Sequence, residues 1–268
     1  MTPQLLEEIV APDVSNLVLE DDTPLDNFQT EKQQRLLVEP LYSSWQPGEP
    51  FIAAANVGIF STDEEEGTVP DVFLSLNVSM PADWSQKQNR SYLVWRFGKF
   101  PEVAIEIVSN RKGNELVRKD SQKPCKKEIY ARMGIAYYAV SDPLQQIQEV
   151  EQMDGKLLKV FELRGKHYVE LLEPFWMEDA GVGLIIWNGE FEGVPSQWLR
   201  WCDRNGQVIP TGAEDREIER QGREVERQGR EVERQRAESE RLRAEQLAVR
   251  AERLAERLQA MGINPDEI

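Results

Sequence analysis

Two carboxylates stand in this sequence where apolar runs should exclude them. Asp71 opens the segment Val72, Phe73, Leu74 and Leu76, and Glu106 interrupts Val103, Ala104, Ile105, Ile107 and Val108. Such runs read as strands, and a carboxylate on a buried strand needs a compensating charge. A divalent cation would supply it. An acid at one strand start, a second acid 35 positions later, and the lysines that follow (Lys119, Lys123, Lys126, Lys127) could bind Mg²⁺ and hydrolyse a phosphodiester. The bland alternative is that Asp71, following Pro70, merely ends a turn.

The elements that must position these acids can be read in order. Residues 1–27 are acidic, interrupted by Pro12 and Pro24, and read as an N-terminal arm. A helix follows, with Thr30 as N-cap and Leu36, Leu37, Leu41 and Tyr42 at helical spacing. Phe51 to Phe60 reads as one strand, and Asp63 to Gly67 as a solvated acidic turn. Strands at about 69–78 and 101–109 flank a loop with Trp84, Tyr92 and Trp95, aromatics that suit core or lid packing and alternatively a base-stacking surface. A helix begins near Pro124 and stops at Gly134, ahead of a buried strand from Ile135 to Val140. Residues 157–163 and 167–172 form a hairpin, and segments holding Trp187, Trp198 and Trp201 cover the sheet.

From Ala213 a seven-residue repeat appears: Gly222 to Gln228 is copied at Gly229 to Gln235. Seven is the coiled-coil period. Ile218, Val225 and Val232 mark one seam position, and Leu247, Ala251, Leu254, Leu258 and Met261 make a stronger stripe toward the end, with Gly262 and Pro265 as the stop. Three regions follow: the arm at 1–27, a folded domain at 28–212, and an Arg/Glu-rich helical, coiled-coil tail at 213–268 that would self-associate or dock a partner.

Formal net charge is −16, from 48 acids and 32 bases. Residues 213–268 hold 15 acids and 12 bases, leaving 33 and 20 for residues 1–212, so most of the excess lies in the folded part. That counts against non-specific nucleic-acid binding, although a metal and a local lysine cluster can attract phosphate beneath an acidic exterior. Cys125 and Cys202 form no Cys-x-x-Cys pattern, so neither a zinc site nor a disulfide framework is indicated, and cytoplasm is the expected compartment. No signal-peptide pattern and no membrane-length apolar run are expected. The one histidine, His167, lies in the hairpin and suits the surface, which disfavours triads built on a histidine base.

Pro70-Asp71-Val72, Glu106-Ile107-Val108-Ser109, Lys126-x-x-x-Tyr130, Gly134 and Tyr137-Tyr138-x-x-x-Asp142-Pro143 occur in order. With these motifs the chain resembles the Uma-type restriction endonucleases, a bacterial family within the PD-(D/E)XK nuclease superfamily. The resemblance runs from about Leu19 to Gly212. It implies an α/β fold in which a mixed central β-sheet flanked by helices carries the acids, followed here by the long C-terminal helix. It also implies Mg²⁺ as cofactor and DNA as substrate. Carried over by motif, Asp71 and Glu106 would ligate the metal, and the Ile107 carbonyl would add a ligand. The superfamily's lysine stands two residues after the second acid, where this chain has Val108. A lysine from the next helix would substitute. Lys126 is preferred over Lys119 because it stands one turn before Tyr130, and its loss is expected to leave folding nearly intact.

Two functions remain open at this level: a Mg²⁺-dependent DNA endonuclease, dimeric through its tail, and a catalytically inactive nuclease fold that acts as an interaction module through that tail.

Overall fold

The computed structural model describes residues 27–62, 67–85, 89–111, 113–120 and 122–262. The arm up to residue 26, the acidic residues 63–66 and Pro265 lie outside them. The chain divides into two units, Met1–Gly212 and Ala213–Ile268.

In chain order the first unit contains α1 (Phe28–Ser43), β1 (Phe51–Ala55), β2 (Ile59–Phe60), β3 (Val72–Leu76), β4 (Tyr92–Leu93), α2 (Val94–Phe97), β5 (Val103–Ile107), α3 (Lys126–Met133), β6 (Tyr137–Ser141), β7 (Leu158–Arg164), β8 (His167–Glu170), β9 (Phe175–Met177), β10 (Val182–Phe191) and β11 (Val194–Cys202). Six strands form the central sheet in the order β1-β3-β5-β6-β7-β8. Only β5 and β6 run parallel, so this is a mixed sheet with β5 near its middle.

Strands β3, β5 and β6 are buried at every position, because both faces of the sheet are covered. Val72, Leu74, Val103, Ile105 and Ile107 face one way, onto Leu37 and Leu41 of α1 and onto Val182, Leu184, Leu199 and Trp201 of a second, three-stranded sheet. Phe73, Ala104 and Val108 face the other way, with Ile59, Tyr92, Tyr130, Ile135 and Tyr138. By strand alternation Glu106 points to this second face.

Several boundaries differ from the sequence reading for local reasons. Asn27, not Thr30, caps α1, its side chain accepting from the Thr30 N–H at 2.9 Å, while Thr30 itself turns inward. The expected strand from Phe51 to Phe60 breaks at Asn56, whose φ of 54° is left-handed, and β2 then pairs with β4 in a separate two-stranded ribbon. Pro124 lies just before α3, which Cys125 caps with Glu128 reaching back, and Gly134 closes the helix at φ 79°. The sheet β11-β10-β9 had no counterpart in the sequence reading, which treated its segments as separate covers.

A stripe on α1 fixes the two sheets to one another. Thr30, Gln33, Gln34, Leu37 and Leu41 are all buried at helical spacing. Gln33 donates its amide N–H to the Leu199 carbonyl at 2.8 Å and accepts the Leu199 N–H at 2.9 Å. The Trp201 indole donates to the Leu37 carbonyl at 2.6 Å.

In the second unit lies most of α4 (Gly212–Ala260), a single helix of 49 residues. Its surface is laced with pairs at heptad intervals, Glu217 with Arg220, Glu224 with Arg227 and Glu231 with Arg234. Gly222 and Gly229 interrupt it, and a Cβ at either would meet open space. Gly222→Ala and Gly229→Ala are therefore predicted to stabilise the helix locally by about 1 kcal/mol each. Amide hydrogen exchange across residues 218–233 should slow in both variants; unchanged protection would mean that partner contacts, not helix propensity, set its stability.

Candidate active site

Glu106 is the centre of a buried polar group on the α3 side of the central sheet. Its side chain is 1% exposed, and two donors from α3 satisfy it: Lys126 Nζ lies 2.6 Å from Oε2, and the Tyr130 hydroxyl donates to Oε1 at 2.6 Å. Lys126 and Tyr130 are four residues apart, one helical turn, so a single helix face delivers both. The preceding loop locks that face in place. Lys126 and Lys127 donate their backbone N–H groups to the carbonyls of Asn114 and Glu115, and the Tyr138 hydroxyl donates to the Glu115 carbonyl at 3.1 Å.

Asp71 immediately precedes β3, which pairs with β5, and its Oδ2 accepts the Ile107 N–H at 2.6 Å. This brings it close enough to Glu106 for the second carboxylate's charge to act on it. From α1 Gln34 donates to Asp71 Oδ1 at 3.2 Å, and it pairs with Asn56 through both amide atoms. The bend at Asn56 thus belongs to the support of Asp71, which also accepts the Asn56 N–H on its own carbonyl.

Glu115 is the third carboxylate of this region. It is 9% exposed, and its Oε2 has no hydrogen-bond partner among the described residues. Its charge and those of Glu106 and Asp71 all act on Lys126.

The charges do not balance. Burial pushes the Asp71 carboxyl up to about 8, the nearby Glu106 adds to this, and Lys126 with the Ile107 N–H opposes it. Burial alone would lower Lys126, but the surrounding carboxylates outweigh that and raise it, so it stays an ammonium. Burial and Glu106 hold the Tyr130 phenol well above its ordinary value, so it remains a donor. Burial likewise raises Glu115. Three carboxylates against Lys126, with Lys119 acting besides on Glu115, leave Asp71 with a deficit of positive charge that a proton relieves. Hard oxygen donors with such a deficit suit Mg²⁺, and the orphaned Glu115 oxygen points to the same want. Among the described residues no three His, Cys, Asp or Glu side chains gather around one point as a ready-made cage. The fit therefore rests on Asp71 and Glu106, with backbone oxygen and water completing the shell, as is common for Mg²⁺.

The structure brings Asp71, Glu106, Ile107 and Lys126 together. Lys119 is exposed on the loop. Two acids of α1 are occupied elsewhere: Glu31 pairs with Arg35, and Glu39 accepts the Gly212 N–H. His167 is exposed, and Cys125 and Cys202 are free thiols. Gln34 and Glu115 were not anticipated. The signal for Gln34 was present, since an amide on the apolar stripe of α1 must find a partner. Against the expectation that loss of Lys126 leaves folding nearly intact stands its 2.6 Å contact with a carboxylate that is 1% exposed, which the ammonium compensates. Its removal is expected to cost about 2 kcal/mol.

An acid whose folded value is raised binds a proton that the unfolded chain has released, so it removes stability as pH climbs from about 4 to 8. In metal-free protein, Asp71→Asn is predicted to abolish this loss. Thermal melts in chelator should show the variant gaining at least about 1 kcal/mol over wild type between pH 5 and pH 8, the worth of one pKa unit. Parallel pH profiles would show that Asp71 is ionised without cost.

The family model described as "Uma2: Putative restriction endonuclease" matches residues 17–176. Among solved structures, the chain is similar to a putative nuclease belonging to DUF820 from Anabaena variabilis ATCC 29413, at 19% identity and a TM-score of 0.35, over 57% of this chain and 72% of that one. No curated protein matches. No helix among the described residues is long and apolar enough to cross a membrane.

Proposed function

Because the chain belongs to the Uma2 family of restriction endonucleases, we propose that it is a Mg²⁺-dependent endonuclease of the PD-(D/E)XK type that hydrolyses DNA phosphodiester bonds at Asp71, Glu106 and Lys126. The observation that carries this is the buried Glu106, held by an ammonium and a phenol beside a second carboxylate that is short of positive charge.

Asp71, Glu106 and the Ile107 carbonyl would hold the cation. When bound, Mg²⁺ supplies Lewis-acid relief of phosphate charge and acidifies a coordinated water. The chain does the rest. Lys126, fixed as an ammonium and one-third exposed, orients the attacking water or stabilises charge growing on the scissile phosphate. Tyr130 fixes the rotamer of Glu106, and Gln34 fixes that of Asp71, so the donor set is rigid before substrate arrives.

Charge distribution supports a nucleic-acid substrate despite the acidic total. Residues 86–132 carry 12 of the 20 bases in residues 1–212 but only five acids, Glu102, Glu106, Glu115, Asp120 and Glu128. That segment supplies β4, α2, β5, α3 and the loop joining them, which is the surround of the site. Local positive potential draws phosphate to the place where it reacts, while the acidic remainder disfavours indiscriminate binding.

The tail favours a second copy as partner. Ile218, Val225 and Val232, then Leu247, Leu254 and Met261, recur at seven-residue spacing and are 49–72% exposed. In the alternative reading, an inactive nuclease fold uses this helix as its working part.

Four variants separate the two. Mn²⁺, as a probe for the metal, should bind wild type in calorimetry and fail to bind Asp71→Ala. Supercoiled DNA with Mg²⁺ should be cleaved by wild type and Lys119→Ala, but at least about 100-fold more slowly by Asp71→Ala and Lys126→Met. A dead Lys119→Ala beside an active Lys126→Met would move the ammonium to Lys119. Absence of both Mn²⁺ binding and cleavage in wild type would leave the interaction module. Removal of residues 213–268 is predicted to lower the mass measured by light scattering from dimer to monomer, and an unchanged mass would assign the tail another partner.

A further inference from the structure

Beside the carboxylates lies a cavity of about 400 Å³ that the proposed chemistry does not use, lined by β1, β3 and residues within 80–84 and 89–97. It opens on the same face of the central sheet as the acids. Phe73, one of its walls, follows Asp71 by two positions, and two strand residues advance the chain by roughly 7 Å. A ligand in the cavity therefore lies next to the reacting centre.

The lining is aromatic. Tyr92 stacks on Phe97 with ring centroids 4.4 Å apart and meets Phe73 edge-on at 5.2 Å. Trp84 also lines the cavity while its side chain is 63% exposed, an unusual cost for so large an apolar ring. Arg90 holds the Trp84 backbone in position, donating from Nε to the Trp84 carbonyl and from its terminal nitrogen to that of Ser85, each at 3.0 Å.

One polar side chain at this apolar wall keeps an atom unpaired among the described residues. Asn89 is buried and lines the cavity; its Nδ2 donates to the Asp83 carbonyl, which leaves Oδ1 as the free end of the amide. Among the described residues that Oδ1 is buried and accepts nothing. A buried acceptor left unpaired is costly, so an occupant should bring an N–H donor. An aliphatic chain would fill the space and leave Asn89 unsatisfied. A flat heteroaromatic ring with an amino group would stack on the aromatics and satisfy the amide together.

We propose that this cavity takes an unpaired nucleobase of the strand whose phosphate lies at Asp71, Glu106 and Lys126. The proposal rests on nucleic acid being the substrate of that site, and it names what the site requires: a locally single-stranded or unstacked nucleotide. Bases have two free faces only when unstacked, and a base can carry its exocyclic amino group to an acceptor buried in a pocket only by leaving its pair. Arg96 of α2, exposed and in the same segment, is a cation available to the flanking phosphates.

The test is fluorescence anisotropy in chelator with labelled ten-nucleotide single strands, one of oligo(dA) and one with every base removed. The full-length protein should bind oligo(dA) at least about tenfold more tightly than the abasic strand. Trp84→Ala and Asn89→Ala should each reduce oligo(dA) binding toward the abasic level, with circular dichroism confirming the fold. Since Trp84 is largely exposed, its variant should keep the wild-type melt. Equal affinity for the two strands, or full discrimination by folded Trp84→Ala, would overturn the base pocket. So would displacement of oligo(dA) by decanoate but not by deoxyadenosine monophosphate, which would mark an aliphatic site. Because binding is read without metal or turnover, these outcomes are independent of the cleavage assay that judges Asp71 and Lys126.

Discussion

Glu106 sits on a central strand at 1% exposure, and a carboxylate there is tolerable only with donors on both oxygens. That constraint organises much of the first unit. It requires a helix carrying a lysine and a tyrosine one turn apart, and α3 lies against the sheet at the place where Lys126 and Tyr130 reach both oxygens. It requires that helix to start at a defined residue, which the carbonyls of Asn114 and Glu115 and the reciprocal contact of Cys125 with Glu128 arrange. It also draws Asp71 into the same desolvated space. The half-buried Asp71 and the buried Glu106 share one close ammonium, which leaves Asp71 short of positive charge until a cation or a proton arrives.

The pair of acids was legible because burial and charge conflict visibly in sequence: each carboxylate breaks an apolar run. The fold class was legible for a related reason, since fully buried strands such as β5 and β6 write themselves as unbroken apolar segments. Lys126 could be preferred over Lys119 only through its spacing to Tyr130, and geometry explains why: the loop from Ser109 to Cys125 folds back on α3, so distance along the chain says little about reach. Glu115 was not legible. It lies in a polar loop where acids are ordinarily solvated, and only the tertiary course of that loop buries it.

The second sheet escaped for a different reason. Strand β10 mixes buried and half-exposed residues without clean alternation, and the tight reversal at Glu192-Gly193, both with positive φ, follows no Asn-Gly or Asp-Gly signal. Tryptophans in β11 drew the eye as covers, and they are that. Trp198 and Trp201 are each 1% exposed, but they reach the core as members of a strand. Likewise Gln33 and Gln34 look alike in the sequence, and only the placement of α1 between two sheets assigns one to Leu199 and the other to Asp71.

Gln33 has a consequence beyond holding α1 in place. Strand β11 ends its sheet, and a terminal strand presents unpaired N–H and C=O groups that can recruit another chain. At Leu199 both groups are already engaged by one side-chain amide, which reproduces the two bonds that a neighbouring strand would make. The glutamine acts as a twelfth strand one residue long. It closes that edge to growth by addition, so the chain has one fewer route to unregulated polymerisation through its sheet.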